Sequence, residues 1–305
     1  MDCLSNRPMN AVCTLFEGDY HLGAAALLNS LHRAGFAGTF VCGHRGPRPV
    51  WHAVRTDPIE VRWVEVSTPV HLTNYKPAFL QQCWSQCAPN VERVFYFDPD
   101  IVVKCPWSVV ERWATGGLAL CEDTNAYLPP RHPYRLAWHD FFARHGLVAC
   151  RELGRYHNAG FLGLPESCRS FLDVWQQVLD CGNQELGLFD QLKKGLPHNL
   201  FYSADQDALN MALLLGEWPL NTAGSEGMDF QPGGHLLSHA AGGAKPWRGR
   251  FLRDALCGRP PGQAQKAFHE FLEGPIRVFP PAMARRRKLA LRLAALIGRF
   301  YRRGA

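Results

Sequence analysis

One apolar run in the chain carries two acidic residues. The stretch VFYFDPDIVV (94–103) is hydrophobic on both sides of Asp98 and Asp100, a pattern that is typical of a strand buried on both faces in a parallel sheet. A buried carboxylate costs free energy unless it is paired or bound to a cation. The run therefore predicts a buried strand whose two carboxylates, in its middle or at its end, are paired or bind a cation.

Strand and helix patterns alternate before this run. The predicted strands cover 11–16, 38–43 and 61–66, and the predicted helices cover 23–35 and 75–88. This β-α-β-α-β order predicts an α/β fold with a doubly wound, Rossmann-like and mostly parallel sheet flanked by helices, in which ligands bind at the carboxyl ends of the strands. Residues 126–157 are rich in aromatic and basic side chains. We interpret them either as an inserted lid or as a surface helix that packs its aromatics inward.

The positive charge of the chain is concentrated at one end. The 305 residues include 33 Lys and Arg and 27 Asp and Glu, but residues 282–305 hold eight of the basic residues and none of the acidic ones. The rest of the chain has 25 basic and 27 acidic residues and is close to neutral. A nucleic-acid-binding face would spread its cations among stacking aromatics, so we expect no nucleic-acid partner.

The basic end also carries an apolar stripe. Within MARRRKLALRLAALIGRFYRRG (283–304) the apolar residues at the spacing of one helix face are Leu289, Leu293, Leu296, Ile297 and Phe300. Leu291 falls off that face. A basic amphipathic helix in an anionic membrane interface would explain both features, whereas a disordered tail or one packed on a partner is the alternative. We predict a domain at 1–281 and a membrane-association tail at 282–305.

Cysteine usage and the chain start bear on location. The eleven cysteines are scattered without a CxxC pair, and MDCLSNRPMNAV does not read as a secretory signal, which predicts reduced thiols in a cytosolic protein. No apolar run reaches the ~20 residues of a membrane-spanning helix. We therefore expect a cytoplasmic protein that associates peripherally with the inner face of a membrane.

The two acidic residues have the spacing of a metal site. Residues i and i+2 of an extended chain point to the same side, so Asp98 and Asp100 can share one Mn²⁺ or Mg²⁺. In SHAAGGAKPW (238–247), His239 can add a nitrogen ligand and Lys245 can neutralise phosphate beside a glycine stretch that permits close backbone approach. The alternative is an Asp-Pro turn and a solvated loop without metal.

Four motifs in this order, YFDPD, HNAGFLGL, ADQDALN and HAAGGAKPW, resemble glycosyltransferase family eight. That family includes glycogenin-like enzymes and bacterial lipopolysaccharide galactosyl- and glucosyltransferases, and the resemblance covers roughly residues 10–247. It implies a GT-A fold, a nucleotide-sugar donor that is usually UDP-linked, Mn²⁺ or Mg²⁺, and retention of the anomeric configuration. The function implied is a hexosyltransferase acting on a glycan or lipid-linked acceptor, as in lipopolysaccharide biosynthesis.

The resemblance also implies a role for each matching position. The metal ligands would be Asp98, Asp100 and His239. The residues that bind the nucleotide-sugar would be Tyr20, Lys76, Asp98, Gly243 and Lys245, with the two lysines at the diphosphate. The donor-sugar and reaction-centre residues would be Asp123, Asn158, Asp205 and Gln206.

Three alternatives remain open at this point. SADQ (203–206) also fits a helix capping box in which Ser203 and Gln206 secure a helix start. The strand with Asp98 also fits a haloacid-dehalogenase-like phosphatase in which this residue is a covalent nucleophile. A catalytically weak, membrane-associated scaffold that binds nucleotide-sugars is the non-enzymatic alternative.

Overall fold

The structure, a computed structural model, describes residues 9–53, 56–124, 128–187 and 200–301. The strands are β1 (Asn10–Glu17), β2 (Gly38–Arg45), β3 (His52–Ala53), β4 (Ile59–Glu65), β5 (Arg93–Phe97), β6 (Ile101–Val103), β7 (Leu118–Cys121), β8 (Phe161–Pro165), β9 (Leu220–Ala223), β10 (Leu237–His239) and β11 (Ile276–Arg277). The α-helices are α1 (His21–Ala34), α2 (Lys76–Gln82), α3 (Trp107–Trp113), α4 (Pro133–Ala143), α5 (Phe171–Leu186), α6 (Ala204–Leu214), α7 (Phe251–Leu256), α8 (Gln263–Glu270) and α9 (Pro281–Phe300).

A seven-stranded sheet organises the fold. Its order is β4-β2-β1-β5-β8-β7-β9, and every neighbouring pair is parallel except those of β8, which runs antiparallel to β5 and to β7. Two small antiparallel pairs, β6 with β10 and β3 with β11, lie outside this sheet. The predicted α/β class with a mostly parallel sheet flanked by helices is confirmed.

The predicted strand at 94–103 is broken in two. β5 ends at Phe97, and the chain turns at Asp98-Pro99-Asp100, where the Ile101 amide donates to the Asp98 carbonyl at 3.0 Å. We predicted that Asp98 and Asp100 point to the same side because they alternate along an extended strand. That prediction is wrong, because the two residues lie in a turn. Asp at the first position and Pro at the second are favoured in a tight turn, and this turn places both acids at the carboxyl end of β5.

The core explains why that end is rigid. Phe95 and Phe97 of β5 pack into the hydrophobic cluster on the α1 side of the sheet, and Val94 and Tyr96 pack into the cluster on the α2, α5 and α6 side. All four side chains are buried. A strand covered on both faces has little freedom to move, so the turn that follows β5 starts from a well-defined position.

α4 lies in the segment for which a lid was one interpretation. Its aromatic residues Trp138, Phe141 and Phe142 are buried in the core. Of the two interpretations, the surface helix that packs its aromatic side chains inward agrees with this burial. Residues 126 and 127, at the start of the segment, lie outside the described part of the chain.

α9 forms the predicted helix at the basic end and packs against α7. Ala284, Leu291 and Ala294 are buried on its inner face. The opposite row is exposed, at 58% for Leu289, 44% for Leu293, 49% for Leu296 and 85% for Phe300. Ile297, which we had placed with that row, is partly buried against α7, and Leu291 contacts the body because it lies off the row. Residues 302–305 lie outside the described part.

None of the helices in the described ranges combines the length and apolarity needed to cross a membrane. α9 has the length but carries many cations. Its inner face meets the body closely, because a Cβ on Gly298 would lie 2.3 Å from Pro260 Cβ.

Candidate active site

A cavity of ≈ 360 Å³ opens at the carboxyl ends of the central strands. This is a volume typical of sites for small ligands. The predicted site residues that line it are Tyr20, Asp98, Asp100, Asp123, Asn158, Asp205, Gln206, His239 and Lys245. Lys76 and Gly243 are the two predicted residues that do not line it. Residues far apart in the chain therefore meet at one site.

Two carboxylates and one imidazole converge at one side of the cavity. The pairing of β10 with β6 sets His239 opposite Ile101, next to the acidic turn. His239 Nε2 lies 3.4 Å from Asp100 Oδ1 and 3.9 Å from Asp98 Oδ2. One ligand atom from each of the three side chains lies within 4.8 Å of the others. Oxygen donors with one imidazole nitrogen fit Mn²⁺ or Mg²⁺.

Gly160 keeps this cluster open. A Cβ at that position would lie 2.6 Å from His239 Cε1, 2.8 Å from Asn158 Oδ1 and 3.1 Å from Asp98 Oδ2. Any side chain there would displace a group of the site. The Gly160 carbonyl also accepts from the Asp98 amide at 2.7 Å, which ties β8 to the acidic turn.

Lys245 neutralises the buried carboxylate of the cluster. Its Nζ lies 2.5 Å from Asp100 Oδ2 and 2.8 Å from the Ala240 carbonyl. Burial acts to raise the pKa of Asp100, but the charges and hydrogen bonds of His239 and Lys245 outweigh it and hold that pKa well below its usual range. Burial acts to lower the pKa of Lys245, and Asp100 reverses this and raises it. Both groups are therefore charged at neutral pH.

Lys76 lies beneath the cavity. We predicted that it contacts a diphosphate, but its ammonium donates to the Ala159 carbonyl at 2.8 Å and to Asp205 Oδ2 at 3.0 Å, and it lies 3.2 Å from Asp98 Oδ1. The side chain is 1% exposed. Burial acts to lower its pKa, and the charges of Asp98 and Asp205 outweigh burial and raise it. Lys76 thus joins the Asp98, Asp100 and His239 cluster to the start of α6.

Asp123, Asn158 and Gln206 form a hydrogen-bonded group on another side of the cavity. The Asn158 and Gln206 amides donate to Asp123 Oδ2 at 2.8 Å and 2.9 Å. Gln206 Oε1 accepts from the Asn158 amide at 3.1 Å and from the Ala159 backbone amide at 3.2 Å. The Gln206 amide is fixed in orientation by these partners, so it presents a defined polar edge to a ligand.

The capping box at the start of α6 is not formed. The Ser203 side chain makes no capping hydrogen bond, and Gln206 turns toward Asp123 instead. Asp207 takes the capping role, because its Oδ2 accepts from the backbone amides of Tyr202 at 2.9 Å and Ser203 at 3.0 Å. The capping interpretation of Ser203 and Gln206 is therefore wrong, and Gln206 is available to the cavity.

Tyr20 and the glycine loop close the remaining side. The Tyr20 ring packs edge-on against Trp247 with ring centroids 5.1 Å apart, and Lys245 Nζ lies 5.9 Å from the Tyr20 centroid. Gly242 and Gly243 have φ of +66° and +46°, in the left-handed region that favours glycine. Gly242 lines the cavity and Gly243 lies beside it.

Comparison with known proteins shows the fold. No protein-family model matches the chain, and no curated protein matches it. The solved structure of WbbM, described as a bifunctional glycosyltransferase, is similar with a TM-score of 0.52 and 13% identity over 93% of this chain. The match covers 52% of WbbM, so this chain spans about half of that protein's length. An active-site mutant of LgtC is similar with a TM-score of 0.52 and 16% identity, covering 89% of this chain and 98% of LgtC. The chain has the GT-A fold.

Within this GT-A fold, three site features were not predicted as site residues from the sequence. Gly160 lies inside the quoted motif HNAG, so its position was a usable signal. Tyr96, whose hydroxyl donates to Asp98 Oδ1 at 2.9 Å, looked like an ordinary strand residue. Asp207 lies one residue after Gln206, and only the backbone geometry shows that it caps α6.

Proposed function

We propose that the chain is a metal-dependent glycosyltransferase of family eight. It would transfer a hexose from a UDP-hexose donor to a glycan or lipid-linked acceptor with retention of the anomeric configuration. The observation that carries the proposal is the convergence of Asp98, Asp100 and His239 beside Lys245, at the edge of a cavity that also holds the Asp123 group. The description of WbbM as a bifunctional glycosyltransferase supports the reaction class.

The residues divide into a diphosphate side and a sugar side. Asp98, Asp100 and His239 would hold Mn²⁺ or Mg²⁺, which when bound supplies positive charge for the departing diphosphate. Lys245 carries a second positive charge at the same place. Gly242 and Gly243 allow the backbone of their loop to approach the phosphates closely.

On the sugar side, Asp205 has one carboxylate oxygen, Oδ1, for which no hydrogen-bond partner is found among the described residues. One of its oxygens accepts from Lys76, and the side chain lines the cavity. Gln206 is an amide and a poor nucleophile, but it can orient the sugar together with Asp123 and Asn158. LgtC is described as an active-site mutant with glutamate in place of glutamine, and Gln206 is the glutamine among the described lining residues. Retention would proceed through Asp205 as nucleophile or by same-face attack of the acceptor hydroxyl.

The test is release of UDP from a panel of UDP-hexoses with Mn²⁺ and with EDTA. We expect release with Mn²⁺ for one or two sugars, and we expect Asp205→Asn to keep UDP affinity while turnover falls by at least about a hundredfold. Binding of UDP without turnover of any donor would favour the scaffold alternative. Release of phosphate from simple phosphomonoesters would favour the phosphatase alternative.

We also propose that the outer row of α9 lies on an anionic membrane. Leu289, Leu293, Leu296 and Phe300 are exposed although they are apolar. The exposed cations of the same helix are Arg285, Arg286, Arg292 and Arg299. Because the inner face already packs on α7, the outer row has no partner among the described residues. Apolar insertion with basic flanks suits a membrane interface, which would hold a cytoplasmic enzyme near a lipid-linked acceptor on the inner leaflet.

A further inference from the structure

α9 makes a direct contact with the loop that carries Lys245. Arg287, on the inner side of α9, donates from Nη2 to the carbonyl oxygen of Pro246 at 2.8 Å. Pro246 directly follows Lys245 in the chain. A residue of the basic helix is therefore hydrogen-bonded to the backbone next to the lysine that faces the metal cluster.

Arg287 differs from the four exposed arginines of α9 because its side chain is partly buried. Its guanidinium lies 5.0 Å from the ring centroid of Phe279 and 5.5 Å from that of Phe251. Within the described ranges the Pro246 carbonyl is its hydrogen-bond acceptor, and no ion pair with a carboxylate is found there. Burying a guanidinium without a carboxylate costs free energy, and the two rings and the carbonyl offset that cost at this one position.

The loop itself depends on its two ends. Residues 241–244 are exposed and include two glycines in the left-handed region. At the first end the Ala240 amide donates to the Asp100 carbonyl at 3.0 Å. At the second end Trp247 packs against Tyr20 and Phe268, and Arg287 binds the Pro246 carbonyl. Because this exposed segment contributes no buried side chain, the position of Lys245 depends on the anchors at its two ends.

We propose that Arg287 is a positioning residue that anchors the Lys245 loop, so that affinity for a nucleoside diphosphate depends on how α9 is seated. This inference rests on the proposed function of the cavity. Arg287 acts through Lys245 and does not line the cavity itself. The contact links the helix proposed to meet the membrane with the site proposed to bind the donor.

The experiment compares Arg287→Met and Arg287→Lys with Arg253→Met, an exposed cation on α7, in the full-length chain. Calorimetry with Mn²⁺ measures the affinity for UDP and, in parallel, for UMP, which lacks the second phosphate. We expect Arg287→Met to weaken UDP binding at least about tenfold and to change UMP binding much less. Arg287→Lys should recover part of the loss, and Arg253→Met should bind like the wild type.

Two further measurements separate positioning from general damage. Titration with Mn²⁺ alone, followed by electron paramagnetic resonance, should be unchanged in Arg287→Met because the three metal-binding side chains are untouched. Adding Lys245→Ala to Arg287→Met should cause little further loss of UDP affinity if both changes act on the same contact. Unchanged UDP binding, or an equal loss for UDP and UMP, would overturn the inference. A wild-type chain without metal-dependent UDP affinity would overturn the proposed function and the inference with it.

Discussion

Lys76 Nζ lies 3.0 Å from Asp205 Oδ2, and the same ammonium lies 3.2 Å from Asp98 Oδ1. One buried cation thus bridges a carboxylate of the Asp98, Asp100 and His239 cluster and the carboxylate proposed for the reaction centre. Lys76 places its positive charge between two acidic side chains that come from distant parts of the chain.

Replacing Lys76 by Met should therefore destabilise the fold. The change leaves two partly buried carboxylates without their common cation, and breaking such a pair costs about 3–5 kcal/mol. Urea unfolding at pH 7 measures the free energy of unfolding. The control is Lys266→Met, an exposed lysine on α8, which should cost under about 0.5 kcal/mol. If Lys76→Met also lowers the free energy of unfolding by under about 0.5 kcal/mol, the bridge does not contribute to stability.

Metal dependence should appear in ligand-induced stabilisation. UDP at 100 times its dissociation constant adds about 2.7 kcal/mol to stability, and we expect the corresponding rise in melting temperature with Mn²⁺ and little rise with EDTA. Asp100→Asn should abolish the Mn²⁺-dependent part, because the amide loses the charge that faces the cation. Asp140→Asn, at an exposed position on α4, should behave like the wild type. Equal shifts with Mn²⁺ and EDTA would contradict the shared metal site.

The start of α6 should depend on Asp207 and not on Ser203. Asp207→Ala leaves two backbone amides and the Tyr156 hydroxyl without their acceptor, which should cost about 3 kcal/mol. Ser203→Ala removes a hydroxyl that makes no capping bond, and should cost under about 0.5 kcal/mol. Thermal or urea unfolding of both variants checks this. Similar losses for the two would mean that Ser203 does cap the helix.

Acid should destabilise the fold partly through His157. Burial lowers the pKa of His157 to about 4 from an ordinary value of 6.5. Between these values the unfolded chain binds a proton and the folded chain does not, so stability falls as the pH drops from about 6.5 to 4. The full shift corresponds to roughly 3 kcal/mol. Urea unfolding at pH 7.5 and at pH 4.5 measures the difference in the free energy of unfolding between the two conditions. His157→Gln should make this difference smaller. His235→Gln, at an exposed position, should leave it as in the wild type.

Membrane association should depend on the outer row of α9. Co-sedimentation with vesicles of phosphatidylglycerol and phosphatidylcholine measures the affinity for the membrane. We expect the double variant Leu289→Ser, Leu296→Ser to lower this affinity by more than about a hundredfold, because two inserted leucines contribute about 3 kcal/mol. The inner face remains intact, so the fold should persist. Leu136→Ser, at an exposed leucine of α4, is the matched control. Binding should also weaken in high salt; undiminished binding of the double variant would exclude this row as the contact.

Much of the architecture could be predicted from local patterns. The alternation of strands and helices, the mostly parallel sheet and the basic terminal helix are confirmed, because hydrophobic periodicity encodes which face of an element is buried. The motifs also singled out Asp98, Asp100 and His239, which the fold brings within 4.8 Å of one another. These residues could be found because each lies in a short motif whose spacing can be read along the chain.

Other features depend on contacts between distant segments, which no local pattern contains. Lys76 looked like a diphosphate contact in the sequence, but its three oxygen partners come from residues 98, 159 and 205, and its side chain is 1% exposed. Leu291 looked like a flaw in the apolar stripe of α9, but it is one of the buried residues that pack the helix against α7. Local sequence limits which residues can carry charge, bind a cation or begin a helix. Tertiary packing alone decided which charges meet and which faces stay exposed, because burial and pairing are properties of the folded chain.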